Sequence, residues 1–195
     1  PVRPATSMTP REYRFDLRPG SPDPEAFPAN EWAAAVRRVS RNLPVDAMEY
    51  GDPLGRIELR EALAGYLARA RGVAADPARI VICSGFTLGV GLVIGALRER
   101  GVRRIGMEDP CLWFHRTVVR DALGGGGEVV PVGVDDEGAS AESLASLEPD
   151  TVLVTPAHQY PLGIAMSPRR RAEVLAWAMS RGRFVLEDDY DGEFR

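Results

Sequence analysis

In Arg183-Phe184-Val185-Leu186-Glu187-Asp188-Asp189-Tyr190-Asp191 an apolar run passes directly into a cluster of acids. Arg183 to Glu187 reads as a strand, and the acidic residues crowd its carboxyl end despite their mutual repulsion. In parallel α/β sheets, ligand sites lie just beyond the carboxyl ends of the strands. Uncompensated acidic clustering at such a place answers a cation, either a metal ion or a protonated ring nitrogen. The residues by themselves leave both open.

Upstream of this stretch, short β-rich runs alternate with helical ones, which is the signature of a layered α/β domain with a largely parallel sheet. The pattern predicts strands over 79–83, 104–107, 128–132 and 151–155. It predicts helices over 88–100, 113–123, 141–147 and 168–181, with Pro168 near the first turn of the last. Asn30 reads as the N-cap of a helix over 31–41, whose Trp32, Val36 and Val39 share one face. Ile57, Leu59, Leu63, Tyr66 and Leu67 predict a second, longer helix, which Arg71-Gly72 stops. Gly124 to Gly127 reads as a loose turn from helix to strand. The first thirty residues, proline-rich through Arg18-Pro19-Gly20-Ser21-Pro22-Asp23-Pro24, read as an extended arm. This reading divides the chain into an arm with the first helix, 1–49, and a main domain, 50–195.

A chain of 195 residues with 45% hydrophobic and 27% charged content can bury one sizeable core. A net charge of −4 and a pI near 5.3 supply no basic field for nucleic acid, so DNA contact would need sequence outside this chain. The two cysteines, Cys83 and Cys111, lack metal-ligand spacing and are too few for a disulfide scaffold, which fits a reducing cytoplasm. No apolar run approaches the ~20 residues that cross a bilayer, and the opening Pro1-Val2-Arg3-Pro4 lacks a secretory apolar segment. All 24 basic residues are arginine; the sequence has no lysine.

Three more strand ends carry candidate chemistry. After the first comes Ser84-Gly85-Phe86-Thr87, where glycine permits close backbone approach and the next helix offers free N–H groups and the positive end of its dipole to a phosphate. As a local pattern it also fits a plain connection. After the second comes Glu108-Asp109-Pro110-Cys111-Leu112-Trp113, whose tryptophan would either stack on a flat ring or pack in the core. After the fourth comes Thr155-Pro156-Ala157-His158-Gln159-Tyr160-Pro161-Leu162-Gly163, either a ligand-facing polar loop or a rigid turn with a hydrogen-bonded His158.

Taken in order, five segments resemble the aminotransferase-like domain of MocR/GabR-type bacterial transcriptional regulators. They are Tyr50-x-Asp52-Pro53-x-Gly55-x3-Leu59-Arg60; Ser84-Gly85; Glu108-Asp109-Pro110; Thr155-Pro156-x-His158-Gln159-x-Pro161-x-Gly163-x2-Met166; and Glu187-Asp188-Asp189-Tyr190-Asp191-x-Glu193-Phe194-Arg195. The opening Phe15-Asp16-Leu17-Arg18-Pro19-Gly20-x-Pro22-Asp23, with Phe27-Pro28, is similar to the arm preceding that domain. The resemblance implies the α/β, three-layer, largely parallel major domain of fold-type-I pyridoxal-phosphate enzymes, incomplete at its carboxyl end.

The resemblance also implies roles. Asp188 would pair with the protonated pyridine nitrogen of pyridoxal 5'-phosphate, and Tyr190 would donate to its phenolic oxygen. Gly85, Phe86 and Thr87 would hold the phosphate, and Tyr50 would reach the phosphate in a partner subunit. His158 and Gln159 would lie beside the ring. Cys111-Leu112 stand where the family has Gly-Tyr, so the stacking ring would come from Trp113 or Phe114; Leu162 stands where a threonine is common. The family's Schiff-base lysine and small domain would follow this chain, and its winged helix would precede it. The expectation is therefore a homodimeric, cytoplasmic regulator fragment that senses an amino compound, with no catalytic residue of its own and no metal or membrane. The alternative is a fragment of a free-standing class I/II aminotransferase acting on an amino acid.

Overall fold

A computed structural model describes residues 23–193. The readings on Pro1, on the segment from Phe15 to Pro22 and on Phe194-Arg195 lie outside them. The described residues fall into two compact units divided after Asp52.

In the first unit, Pro24–Ala26 form a 3-10 turn, with the Asp23 carboxylate accepting from the Glu25 N–H at 2.9 Å. Helix α1 (Ala29–Arg41) begins earlier than the expected cap at Asn30, because Pro28 takes the N-cap place and its carbonyl accepts from Trp32 N–H at 3.0 Å. Proline's fixed φ suits a helix entrance, so the proline outcompetes the amide side chain as the starting point. Trp32, Val36 and Val39 share a face as expected and are exposed, as is Tyr50.

The second unit opens with α2 (Ile57–Arg71), which ends where Gly72 adopts a left-handed φ of 66°. The strand expected over 79–83 is not formed. Pro77–Arg79 is a 3-10 turn held by Asp76, and the following residues run without a ladder, Ile82 N–H donating to Leu54 carbonyl at 2.8 Å. Apolar, β-branched composition makes a segment suited to a sheet, but a strand also needs a neighbour, and no described segment supplies one here.

From there the chain alternates: α3 (Phe86–Glu99), β1 (Arg104–Asp109), α4 (Trp113–Leu123), β2 (Glu128–Asp135), β3 (Gly138–Ala139), α5 (Ala141–Leu147), β4 (Thr151–Val154), α6 (Pro168–Ser180) and β5 (Phe184–Glu187). The sheet order is β3-β2-β1-β4-β5. All pairs are parallel except β2 with the short β3, which the sequence pattern did not reveal. Every residue of β4 is buried, as a strand covered on both faces requires. Val152 and Val154 pack with Leu144 of α5 and Val174 and Trp177 of α6. Leu153, Ile105 and Met107 pack on the other face with Val90 and Ile94 of α3 and Val119 and Leu123 of α4. The result is three layers, helices α3 and α4 on one side of the sheet and α5 and α6 on the other.

Candidate functional site

The chain leaves β1 toward β2 on one side and later lays β4 on β1's other side. Connections that diverge in this way open a crevice beyond the carboxyl ends of the two central strands. Glu108 near the end of β1, Thr155 after β4 and Asp188 after β5 meet there.

Asp188 continues the β5 alignment, its N–H donating to the Val154 carbonyl at 2.9 Å. Its side chain is 8% exposed, and His115 Nδ1 lies 3.8 Å from its Oδ2. Burial, then the neighbouring Asp191 and Glu108 carboxylates, push its pKa up to about 6. A carboxylate so placed gains stability from any cation that reaches it. Adjacent Asp189 is paired instead with Arg71, on the side of a separate recess of about 490 Å³ that Arg171 and Glu187 also line.

Helix α3 points its amino end at the same rim. Gly85, at its N-cap, has φ of 116°, a conformation that only glycine holds without strain, and among the described residues no side chain caps the first turn. The leading N–H groups of Phe86 and Thr87 therefore remain free of helical partners and carry the positive end of the dipole. Phe86 stacks on His115, ring centroids 4.1 Å apart.

Other expected residues are placed differently. Gln159 is buried; its amide nitrogen donates to the Pro110 and Tyr160 carbonyls, both at 2.8 Å, and its oxygen accepts from Leu162 N–H at 3.1 Å. That side chain braces the loop from within. His158 Nδ1 lies 2.9 Å from the Asp191 carboxylate, and Tyr190 donates its hydroxyl to the His158 carbonyl at 2.8 Å, so Tyr190, His158 and Asp191 form one connected set. Burial chiefly, then the Asp191 and Asp188 charges, push the Tyr190 phenol up. Trp113 is 73% exposed and meets Phe114 edge-on, lining a cleft with Cys111 and Arg116; the ring set against Asp188 is that of His115.

His115, Glu108 and Arg71 carry roles that sequence reasoning did not assign. His115 was the most accessible of these, being one of two histidines and standing in the first turn of a helix that follows a strand end. Burial holds its imidazole pKa below the usual value. Among the described residues, no three His, Cys, Asp or Glu side chains converge as a metal-binding group.

This set offers an anion for a ring cation at one place, and uncapped helix N–H groups for a phosphate at another. Both suit pyridoxal phosphate, whose protonated pyridine nitrogen and phosphate need those two partners. A family model described as aminotransferase class I and II matches residues 17–191. The chain belongs to that family. Among curated proteins, this class I and II aminotransferase-like chain is 36% identical over 181 residues to the uncharacterized HTH-type transcriptional regulator YhdI of Bacillus subtilis, covering 93% of the chain and 38% of YhdI. It is 31% identical to the pyridoxine biosynthesis transcriptional regulator PdxR of Corynebacterium glutamicum, covering 93% and 38%, and 30% identical to the probable rhizopine catabolism regulatory protein MocR of Rhizobium meliloti, covering 93% and 36%. The chain thus spans under two-fifths of the length of these relatives. Its fold matches an archaeal alanine:glyoxylate aminotransferase with a TM-score of 0.72 and 24% identity, over 86% of the chain and 42% of that structure. It also matches the α-aminoadipate aminotransferase LysN of Thermus thermophilus, with a TM-score of 0.69 and 24% identity over the same shares of the two chains.

Proposed function

We propose that this chain is the cofactor-holding part of a MocR-type, GntR-family transcription regulator, in which pyridoxal phosphate and an amino compound control a DNA-binding segment lying outside the chain. The observation that carries the cofactor reading is Asp188, a nearly buried carboxylate at the sheet's switch point with two acidic neighbours and, among the described residues, no arginine partner. Similarity to YhdI, PdxR and MocR supports the regulatory half.

In this reading Asp188 keeps a proton on the ring nitrogen, while the backbone of Gly85, Phe86 and Thr87 holds the phosphate. His115 and Phe86 present aromatic surface to the crevice. Tyr190 and His158 stand beside them. Pyridoxal phosphate supplies, when bound, an electron-poor ring that stabilises negative charge on a carbon next to an amino group. The chain has no lysine, so it offers the cofactor no ε-amino group. Two copies would assemble through the first unit, whose Tyr50 and α1 apolar face are exposed, and Tyr50 would serve the neighbouring copy. A cytoplasmic location follows from such a role.

A second reading, a part of a free-standing aminotransferase acting on an amino acid, shares the same fold and is the less favoured of the two, since the curated relatives are regulators. The full open reading frame decides between them. A regulator shifts a promoter fragment in a gel and changes that shift when pyridoxal phosphate and amino compounds are added. An aminotransferase turns over an amino acid and a keto acid, and has no effect on DNA.

A further inference from the structure

Glu108 is 3% exposed, yet among the described residues its carboxyl has no basic partner. One oxygen takes every donor: Thr155 N–H at 3.2 Å, the Thr155 hydroxyl at 2.5 Å and the Gln159 amide at 3.4 Å. The other, Oε1, is buried without a hydrogen-bond partner among the described residues. A full negative charge held there leaves one oxygen wholly unsolvated, whereas a neutral carboxyl places its hydroxyl on that oxygen at far smaller cost. The groups around it do not neutralise it. After β5 stand Asp188, Tyr190 and Asp191; after β4 stand His158 and Tyr160; α4 supplies His115, which faces Asp188, and Arg116, which reaches the Glu108 backbone carbonyl and pairs with Asp109.

We propose that Glu108 and Asp188 together store a proton in the ligand-free chain, and that a cation docking at Asp188 expels it. Glu108 and Asp188 face one crevice and repel each other when both are ionised, so their titration belongs to the pair rather than to one member. Burial pushes the Glu108 carboxyl up, and Glu108 is one of the charges that raise Asp188. A cation at Asp188 removes that repulsion, and the stored proton leaves to solvent. Occupancy of the crevice is then coupled to pH through Glu108, a positioning residue that need not touch the ligand. Only the identity of the cation, a pyridine ring nitrogen, rests on the function proposed above.

The storage half is tested without any cofactor. Carboxyl-carbon NMR of the ligand-free chain, labelled at Asp and Glu, is expected to show Asp188 titrating near pH 6 with Glu108 also raised, and Glu108→Gln is expected to move the Asp188 midpoint downward. An Asp188 midpoint unchanged in E108Q overturns the proposal. Should E108Q not fold, as judged by circular dichroism, the wild-type titration decides: ordinary, independent Glu108 and Asp188 midpoints overturn it. The expulsion half is read by calorimetry of pyridoxal phosphate binding at pH 6 in two buffers of different ionisation heat. Wild type is expected to release on the order of half a proton more than E108Q; equal release overturns the coupling. If calorimetry detects no binding while the NMR result holds, it is the cofactor reading that fails and proton storage that stands.

Discussion

The guanidinium of Arg71, in the last turn of α2, is paired with the carboxylate of Asp189 and also donates to the Gly192 carbonyl at 2.6 Å. Of two adjacent acids at the end of β5, one is thereby drawn to α2 and the other, Asp188, is left facing His115 in the crevice. Asp188→Ala should accordingly weaken pyridoxal phosphate binding at least tenfold in an absorbance titration, and Asp189→Ala should do so far less. Arg71→Ala should cost about 1–3 kcal/mol of stability in urea denaturation, through loss of a part-buried charged hydrogen-bond set. Equal loss of binding in the two aspartate variants would show that the wrong carboxylate has been assigned.

The ligand-free chain should lose stability between about pH 4 and pH 7 through Asp188. Its pKa rises from 3.8 in the unfolded chain to about 6 in the folded one, so the folded state binds the proton more tightly. A raised carboxyl contributes stability that is present below its unfolded pKa and is lost as pH rises through its folded pKa. The shift corresponds to an upper value of about 3 kcal/mol at neutral pH. Asp188→Asn should flatten this part of the profile, measured as the difference between wild-type and variant denaturation midpoints across the range. A parallel pair of profiles would contradict it.

Gly85→Ala should cost about 1–3 kcal/mol, because φ of 116° suits glycine alone. Apart from its chain neighbours, no described residue has an atom within 4 Å of where the added Cβ would stand, so the cost arises in the backbone and not from collision. Binding of inorganic phosphate or pyridoxal phosphate should weaken with it, whereas Gly91→Ala, within α3 and equally open, should leave binding intact.

His115→Ala removes a ring stacked on Phe86 and should lower stability by about 1 kcal/mol. His115→Phe should restore most of that loss, since packing needs only the ring. The Asp188 titration should move down in His115→Ala, which lessens the burial that raises it, and little in His115→Phe, which keeps the ring in place.

Reduction with borohydride after incubation with pyridoxal phosphate should leave no stable pyridoxyl adduct within this chain, since it has no lysine. Peptide mass spectrometry reads the outcome. An adduct anywhere except at the amino terminus would contradict it.

Local sequence was sufficient for the α/β alternation, because apolar periodicity and helix-ending glycines act within a few residues: the helices predicted over 113–123 and 141–147 are α4 and α5. It also marked Gly85 and the acidic cluster after β5 as candidate site residues at strand ends, since those residue types are costly unless used. The strand read over 79–83 failed because pairing requires a neighbour, and composition carries no information about neighbours. Likewise, only the folded chain could decide that Arg71 claims Asp189 rather than Asp188. It alone turned Gln159 inward onto Glu108 and brought His115 to Asp188. Those assignments are set by charges and cavities that distant segments create together, so no window of sequence contains them.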